Sequence, residues 1–326
     1  MTAPIDTAGR PTVGRTGPGS RRKLIVAIVV VAIVAAAAGV TALLIRRAQL
    51  ITKLEAIPPG STVAVRPFRH VFLIVLENKD ERDVVGAPDA PYLDGLIARY
   101  GLATDYQGIA HPSQPNYLAL FSGATHDVLD DDVHDVSAPN LADQLEAAGR
   151  TWRVVAENVP ADPCFTGASA TDGPDGPGLY VRKHNPAISF LSISGTPSRC
   201  ANIQPLSSFD PGAADFQLIV PNMCHVMHDC PIADGDAWLR AFVPRILESA
   251  AWKDGGVLFI TFDEGADKSR QNEVATIVIA PDVAAGSTSG VAHNHYSLLR
   301  TIEAGFGLPC LAESCSANTM GEFFRP

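Results

Sequence analysis

Two periodicities alternate along the chain. His70–Leu76 (HVFLIVL), Trp152–Ala156, Phe216–Val220 (FQLIV), Gly256–Phe262 (GVLFITF) and Val274–Ala280 (VATIVIA) are near-continuous apolar runs. Runs of that length without alternation suit strands buried on both faces. Between them lie segments with helical spacing. Pro91–Tyr100 places Leu93, Leu96, Ile97 and Tyr100 on one side, and Asp236–Ser249 repeats Trp238, Phe242 and Ile246 every fourth position. Ala138–Ala148, closed by Gly149, and Tyr296–Phe306 complete the helical set. Strands separated by helices predict an α/β fold, with a mostly parallel sheet and helices on both faces. The stretch 160–210 carries no clear period and is expected to be loop-rich, covering one end of the sheet.

A different pattern occupies the N-terminal region. Leu24–Ile45 is 22 residues without a charge, and about 33 Å of helix would match the ~30 Å hydrocarbon core of a bilayer. Cleavable signal peptides have shorter apolar regions. The expected organisation is therefore a cytoplasmic, disordered basic segment at 1–23, a transmembrane signal anchor at 24–45, a linker at 46–66 and a catalytic domain at 67–326. The basic flank around Arg21-Arg22 also matches a twin-arginine export signal. Either route places the domain outside the cytoplasm, at the cell membrane in the first case.

Charge sharpens this division. The first 53 residues hold eight of the 25 Lys/Arg and one of the 35 Asp/Glu, leaving 17 basic against 34 acidic groups in the remainder. So acidic a domain repels a polyanion and excludes nucleic acid as a partner. All six cysteines lie in that domain. Six cysteines admit many pairings. The preferred one is 224–230, 310–315 and 164–200; a cysteine-ligated zinc site is the alternative, weakened by the lack of any CxxC pair.

In open α/β sheets ligands bind beyond the carboxyl ends of the strands. Glu77-Asn78 follow HVFLIVL, and Asp263-Glu264 follow GVLFITF. His225, His228 and Asp229 come shortly after FQLIV, and His111-Pro112-Ser113-Gln114-Pro115-Asn116 come after Ala103–Ala110, taken here as a fourth strand end. Each cluster alone could be a turn or a helix cap; four on one rim are harder to explain that way. Glu77, Asn78, Asp263 and Glu264 are hard oxygen donors suited to a divalent metal ion. Ser113 stands at a helix start, where backbone N–H groups attract an anion. A serine hydroxyl needs activation, which a metal can supply. The absence of a G-x-S-x-G stretch counts against a Ser-His-Asp hydrolase.

These residues sit in a recurring order of motifs: IVLEN (Ile74–Asn78), HPSQPNYLALFSG (His111–Gly123), YVRKHNP (Tyr180–Pro186), MHDCPIADGDAWL (Met227–Leu239), TFDEG (Thr261–Gly265) and HYSLLRTIEAGFGLP (His295–Pro309). Over about 70–310 the chain resembles the bacterial phosphoesterase family of secreted acid phosphatases and phospholipases C, above all its short acid phosphatases. The resemblance implies an alkaline-phosphatase-like fold. It implies a metal held by Glu77, Asn78, Asp263 and Glu264, with Ser113 as metal-bound nucleophile forming a phosphoserine. His184 and His228 would contact the phosphoryl group or protonate the leaving oxygen, with His111, Asn116, Asp229 and His295 in supporting places. One departure is Val226, where family members often carry Asp before Met-His-Asp; His225 is the nearest substitute. The expected substrate is a small phosphate ester or a phospholipid head group. A phospholipase C is the enzymatic alternative, and an inactive cell-surface binding module the alternative of another class.

Overall fold

The computed structural model describes residues 63–266 and 271–324. The span expected at 24–45, the segment before it and most of the linker lie outside these. Among the described residues no helix is long and apolar enough to cross a membrane.

The core is an eight-stranded sheet: β1 (His70–Leu76), β2 (Gly101–Ala103), β3 (Trp152–Ala156), β4 (Ile203–Pro205), β5 (Phe216–Val220), β6 (Gly256–Phe262), β7 (Thr276–Ile279) and β8 (Ser287–Ser289), in the order β8-β2-β7-β6-β1-β5-β3-β4. β1 pairs in parallel with both β5 and β6, and only β7 runs against its neighbours. Every residue of β5, β6 and β7 is buried. That is why these strands read as unbroken apolar runs. β2, β4 and β8 escaped the sequence reading, because three residues are too few to leave a periodic signature.

Five helices matter for the site: α1 (Pro91–Arg99), α2 (Ser113–Ser122), α3 (Leu141–Ala147), α4 (Ile232–Leu247) and α5 (His295–Phe306). α4 begins four residues before its expected start at Asp236. Asp236 is not a terminus but a buried anchor: its Oδ1 accepts from the backbone N–H of Leu93 at 2.9 Å, tying α4 to the first turn of α1. α2 is buried on every side. Gly123 ends it at φ +74, and a Cβ there would strike the Leu311 carbonyl; both facts require glycine.

The loop-rich expectation for 160–210 holds in the main, although the region also carries short helical turns and the β4 strand. Three disulfides, Cys164–Cys200, Cys224–Cys230 and Cys310–Cys315, use all six cysteines. This is the preferred pairing, and such bonds are at home in an extracytoplasmic protein. The one tight group of cysteine and acid ligand atoms among the described residues is Cys224, Cys230 and Asp234, whose two sulfurs are bonded to each other.

Candidate active site

Register builds the first half of the site. Leu76 of β1 lies opposite Phe262 of β6. The residues that follow, Glu77-Asn78 and Asp263-Glu264, therefore leave the sheet side by side. The Asp263 N–H donates to the Leu76 carbonyl at 3.0 Å, and the Asn78 N–H donates to Asp263 Oδ1 at 3.1 Å. Asn78 turns out of the strand in the left-handed region, at φ 51, a conformation asparagine tolerates.

The second half comes from the start of α2, and not from a fourth strand of the main sheet. Only Tyr106–Gln107 of the Ala103–Ala110 segment is paired beyond β2, in a two-stranded sheet with His293–Asn294. The loop is then clamped from within. Asn116 Oδ1 accepts from the N–H groups of Ile109 (2.7 Å) and Ala110 (3.0 Å), while its Nδ2 donates to Ala110 O (2.9 Å) and Pro112 O (3.2 Å). Asn116 thus fixes the approach to Ser113. Gly108 lets that loop pass close to the carboxylates, since a Cβ there would lie 2.8 Å from the Asp263 carbonyl oxygen.

Ser113 is not a helix cap. Pro112 holds that position, and the serine hydroxyl donates instead to Glu77 Oε2 at 3.0 Å, with Glu264 Oε1 at 3.3 Å. The inward amide atom of Asn78 lies at the same distances from those two oxygens, 3.0 and 3.3 Å. Turned nitrogen-in, it donates to both; turned oxygen-in, it completes an all-oxygen set with Ser113 and the two carboxylates. Asp263 stands to one side. Its Oδ2 is buried and has no hydrogen-bond partner among the described residues. Burial and the neighbouring Glu77 and Glu264 push its pKa well above the usual carboxylate range. Glu264 is also raised, by burial, against the pull of His111. Buried acids this poorly compensated, surrounded by hard oxygen donors, fit a divalent cation.

Glu77 is the exception, held down at about 2. Burial would raise it, but His184, Lys183 and Tyr117 outweigh that. Its Oε1 receives Tyr117 OH at 2.6 Å and faces His184 Nε2 at 2.9 Å. Tyr117 stacks on His184 with ring centroids 5.0 Å apart. His184 is buried behind Glu77, so it steadies a carboxylate and does not face the hydroxyl. His111 Nδ1 pairs with Glu264 Oε2. His295 links Tyr106 OH (2.9 Å at Nδ1) to the Asp263 carbonyl at Nε2. Burial holds its pKa at about 4, so the ring is neutral and braces the turn.

His228 is placed differently. It is partly exposed and pairs through Nδ1 with Asp229 Oδ1 at 2.7 Å, outside the carboxylate cluster. Its loop is nonetheless fastened to the site: Val226 O accepts from the Glu77 N–H at 2.9 Å, and Lys79 Nζ donates to Met227 O at 2.7 Å. His225 pairs with Glu157 at 2.8 Å, so it does not stand in for an acid at Val226.

Three functional neighbours were not singled out from sequence. Tyr117 is one helical turn from Ser113, and that spacing was the available signal. Lys183 precedes His184 in the same motif; its Nζ lies 3.4 Å from Ser113 Oγ and 2.9 Å from Asp131 Oδ2. Asp131, in a run of acids, gave no signal of its own.

The mostly parallel α/β sheet brings three carboxylates and an amide to its strand ends and sets against them the buried serine at the start of α2, an arrangement suited to a hydrolase. The chain belongs to the Phosphoesterase family, whose pattern it matches over residues 85–309, and it is a phosphoric ester hydrolase. It is 33% identical over 248 residues to a phosphatidylinositol-3-phosphatase of Mycobacterium tuberculosis, covering 76% of this chain and 79% of that one. It is 29% identical over 278 residues to an acid phosphatase of Aspergillus fumigatus, covering 82% of this chain and 61% of that longer protein. A solved Vibrio parahaemolyticus protein of the alkaline phosphatase superfamily superposes with TM-score 0.55 at 12% identity, over 83% of this chain and 76% of that one. At that identity the likeness establishes the fold alone.

Proposed function

We propose that the chain is an acid-phosphatase-like phosphomonoesterase that works through a phosphoserine on Ser113. The observation that carries this is the buried Ser113 hydroxyl set between the carboxylates of Glu77 and Glu264. The names of the relatives, acid phosphatases and a phosphatidylinositol-3-phosphatase, support monoester hydrolysis over the diester cleavage of a phospholipase C. Retention of both carboxylate pairs and the serine argues against an inactive binding module.

The roles divide by environment. Glu77 accepts the Ser113 hydroxyl at 3.0 Å, and Glu264 Oε1, 3.3 Å away, takes the serine proton. Oγ forms its bond to phosphorus as the bond to the ester oxygen breaks, and the bonding pair leaves with that oxygen. His228, steadied by Asp229 and outside the acid cluster, supplies the proton to the leaving oxygen. Water then hydrolyses the phosphoserine. Glu77, Asn78, Asp263 and Glu264 would hold a divalent cation, with Ser113 beside them; it would neutralise the clustered acids and draw charge from the phosphoryl oxygens. His184 and Tyr117 hold Glu77, His111 holds Glu264, and Asn116 and His295 hold the loops.

The apolar run at 24–45 would tether this domain at the outer side of the cell membrane, within reach of soluble esters and phospholipid head groups. A panel of soluble phosphomonoesters, a monophosphorylated phosphoinositide and a phosphocholine diester, assayed on the full chain before and after chelation, tests the reading. Metal-dependent monoester turnover is expected. Preferential diester cleavage would replace the proposal with a phospholipase C.

A further inference from the structure

The Lys183 ammonium lies beside the proposed nucleophile. Its Nζ donates to Ser113 Oγ at 3.4 Å, and its side chain is only 16% exposed. Asp131 holds it there through a 2.9 Å ion pair, and the other oxygen of that carboxylate accepts from the Gln114 N–H at 2.9 Å, in the first turn of α2. Asp131 therefore ties the ammonium to the backbone that carries the nucleophile. Lys183, Arg182, Asp131, Gln114, Val133 and Val181 line a cleft of about 260 Å³, in which Gln114 is the residue after Ser113. A phosphoryl group attached to Ser113 Oγ carries its non-bridging oxygens one P–O bond beyond phosphorus, so an ammonium 3.4 Å from Oγ lies within hydrogen-bond reach of them. Among acids otherwise too numerous for a dianion, this ammonium is positive charge that the chain itself supplies beside the hydroxyl.

We propose that Lys183 is a catalytic residue that grips the non-bridging oxygens of the phosphoryl group, and that Asp131 is the positioning residue that aims it. Lys183 keeps its proton throughout, so it contributes charge and hydrogen bonds and takes no part in the proton transfers. The idea rests on Ser113 as the nucleophile, and its test is chosen to fail separately.

The test is inhibition by inorganic phosphate, measured with turnover on the full chain. Lys183→Met should lower kcat/KM by about 100-fold or more and raise the phosphate inhibition constant at least about tenfold. Lys183→Arg, which keeps the charge, should recover much of both. Asp131→Asn should lose phosphate affinity by a smaller factor, about threefold to tenfold. Calorimetric titration of phosphate into Ser113→Ala, with and without Lys183→Met, gives the same comparison without turnover: affinity should fall about tenfold in the double variant. Should Lys183→Met prove unfolded by circular dichroism, Lys183→Gln takes its place against Lys183→Arg. A phosphate affinity unchanged on removing the charge, whatever happens to turnover, would overturn the proposal. Retained turnover in Ser113→Ala would instead sink the nucleophile, which the phosphate titration does not measure.

Discussion

The two halves of the site are built by different means. Glu77-Asn78 and Asp263-Glu264 are placed by the register of β1 and β6, two central strands whose backbone pairing leaves little freedom. Ser113, at the first position of α2, Lys183, in a short helical turn, and Asp131, in a loop, lie outside the sheet and are held by side-chain bonds: Asn116 clamps the loop before the serine, and Asp131 clamps the lysine. The acids are therefore fixed by the fold itself, whereas the groups proposed to act on the phosphoryl unit depend on a few polar contacts. Damage to the first half should show as lost metal affinity, and damage to the second as lost chemistry with the metal site intact.

The sharpest contrast is between Ser113→Ala and Asp263→Asn. The serine variant should lose about 10⁴-fold or more in kcat, because the covalent step cannot occur, and excess metal should not restore it. It should cost little stability, as Ser113 caps nothing. Asp263→Asn should lose about 100-fold at limiting metal, with much of that recovered as metal is raised. Equal responses to added metal in turnover titrations would erase the distinction between the halves.

Tyr117→Phe probes the seam between them. It removes one of the donors on Glu77 but leaves the serine untouched, so about a tenfold loss is expected, or ~1.4 kcal/mol of barrier. A weaker apparent metal affinity should accompany it, since Glu77 would be less firmly held; unchanged affinity and rate would show that Tyr117 only fills space.

Replacing Cys224 and Cys230 by serine tests whether the His228 loop needs its tie. The closed loop is short, so the cost to stability should be about 2 kcal/mol, below the ~4 kcal/mol expected for Cys164–Cys200 with its longer loop. Thermal melts of the two double variants under oxidising conditions check the order. The reverse order would mean that packing, not chain entropy, governs these bonds.

The smallest effect concerns pH and lies outside both halves. Burial raises Glu303 to about 7. An acid whose folded pKa exceeds its unfolded value favours the folded state below the unfolded pKa, near 4.5, and that advantage is lost as pH rises through about 7. Glu303→Gln should thus match the parent at pH 5 and gain on the order of 1 kcal/mol at pH 8. Melting curves that shift equally at both pH values would contradict it.

The half built by register was the half legible in sequence. β1, β3, β5 and β6 have the limits their apolar runs predict, because burial on both faces keeps them apolar except at isolated positions such as Arg153 and Gln217. The polar pairs after β1 and β6 could be found by reading one residue further. The other half offered no such rule. Ala103–Ala110 looked like a strand, yet its Gly108 and its bonds to Asn116 make it a clamped loop. Ser113, His184 and Lys183 drew notice or escaped it by motif, and their spacing could not reveal that His184 faces Glu77 while Lys183 faces the hydroxyl. That difference comes from contacts between residues 70 apart in sequence for Lys183 and Ser113 and 107 apart for His184 and Glu77, which no local pattern encodes.

The central claim, a covalent phosphoryl group on Ser113, can be observed directly. The full chain, supplied with a divalent metal ion, is mixed with a fast-leaving aryl phosphate, quenched in acid within the first turnover and digested, and the peptides are weighed. One phosphoryl group on the peptide carrying Ser113, absent from the Ser113→Ala protein, is the predicted result. Full turnover with no phosphorylated peptide at any quench time would contradict it.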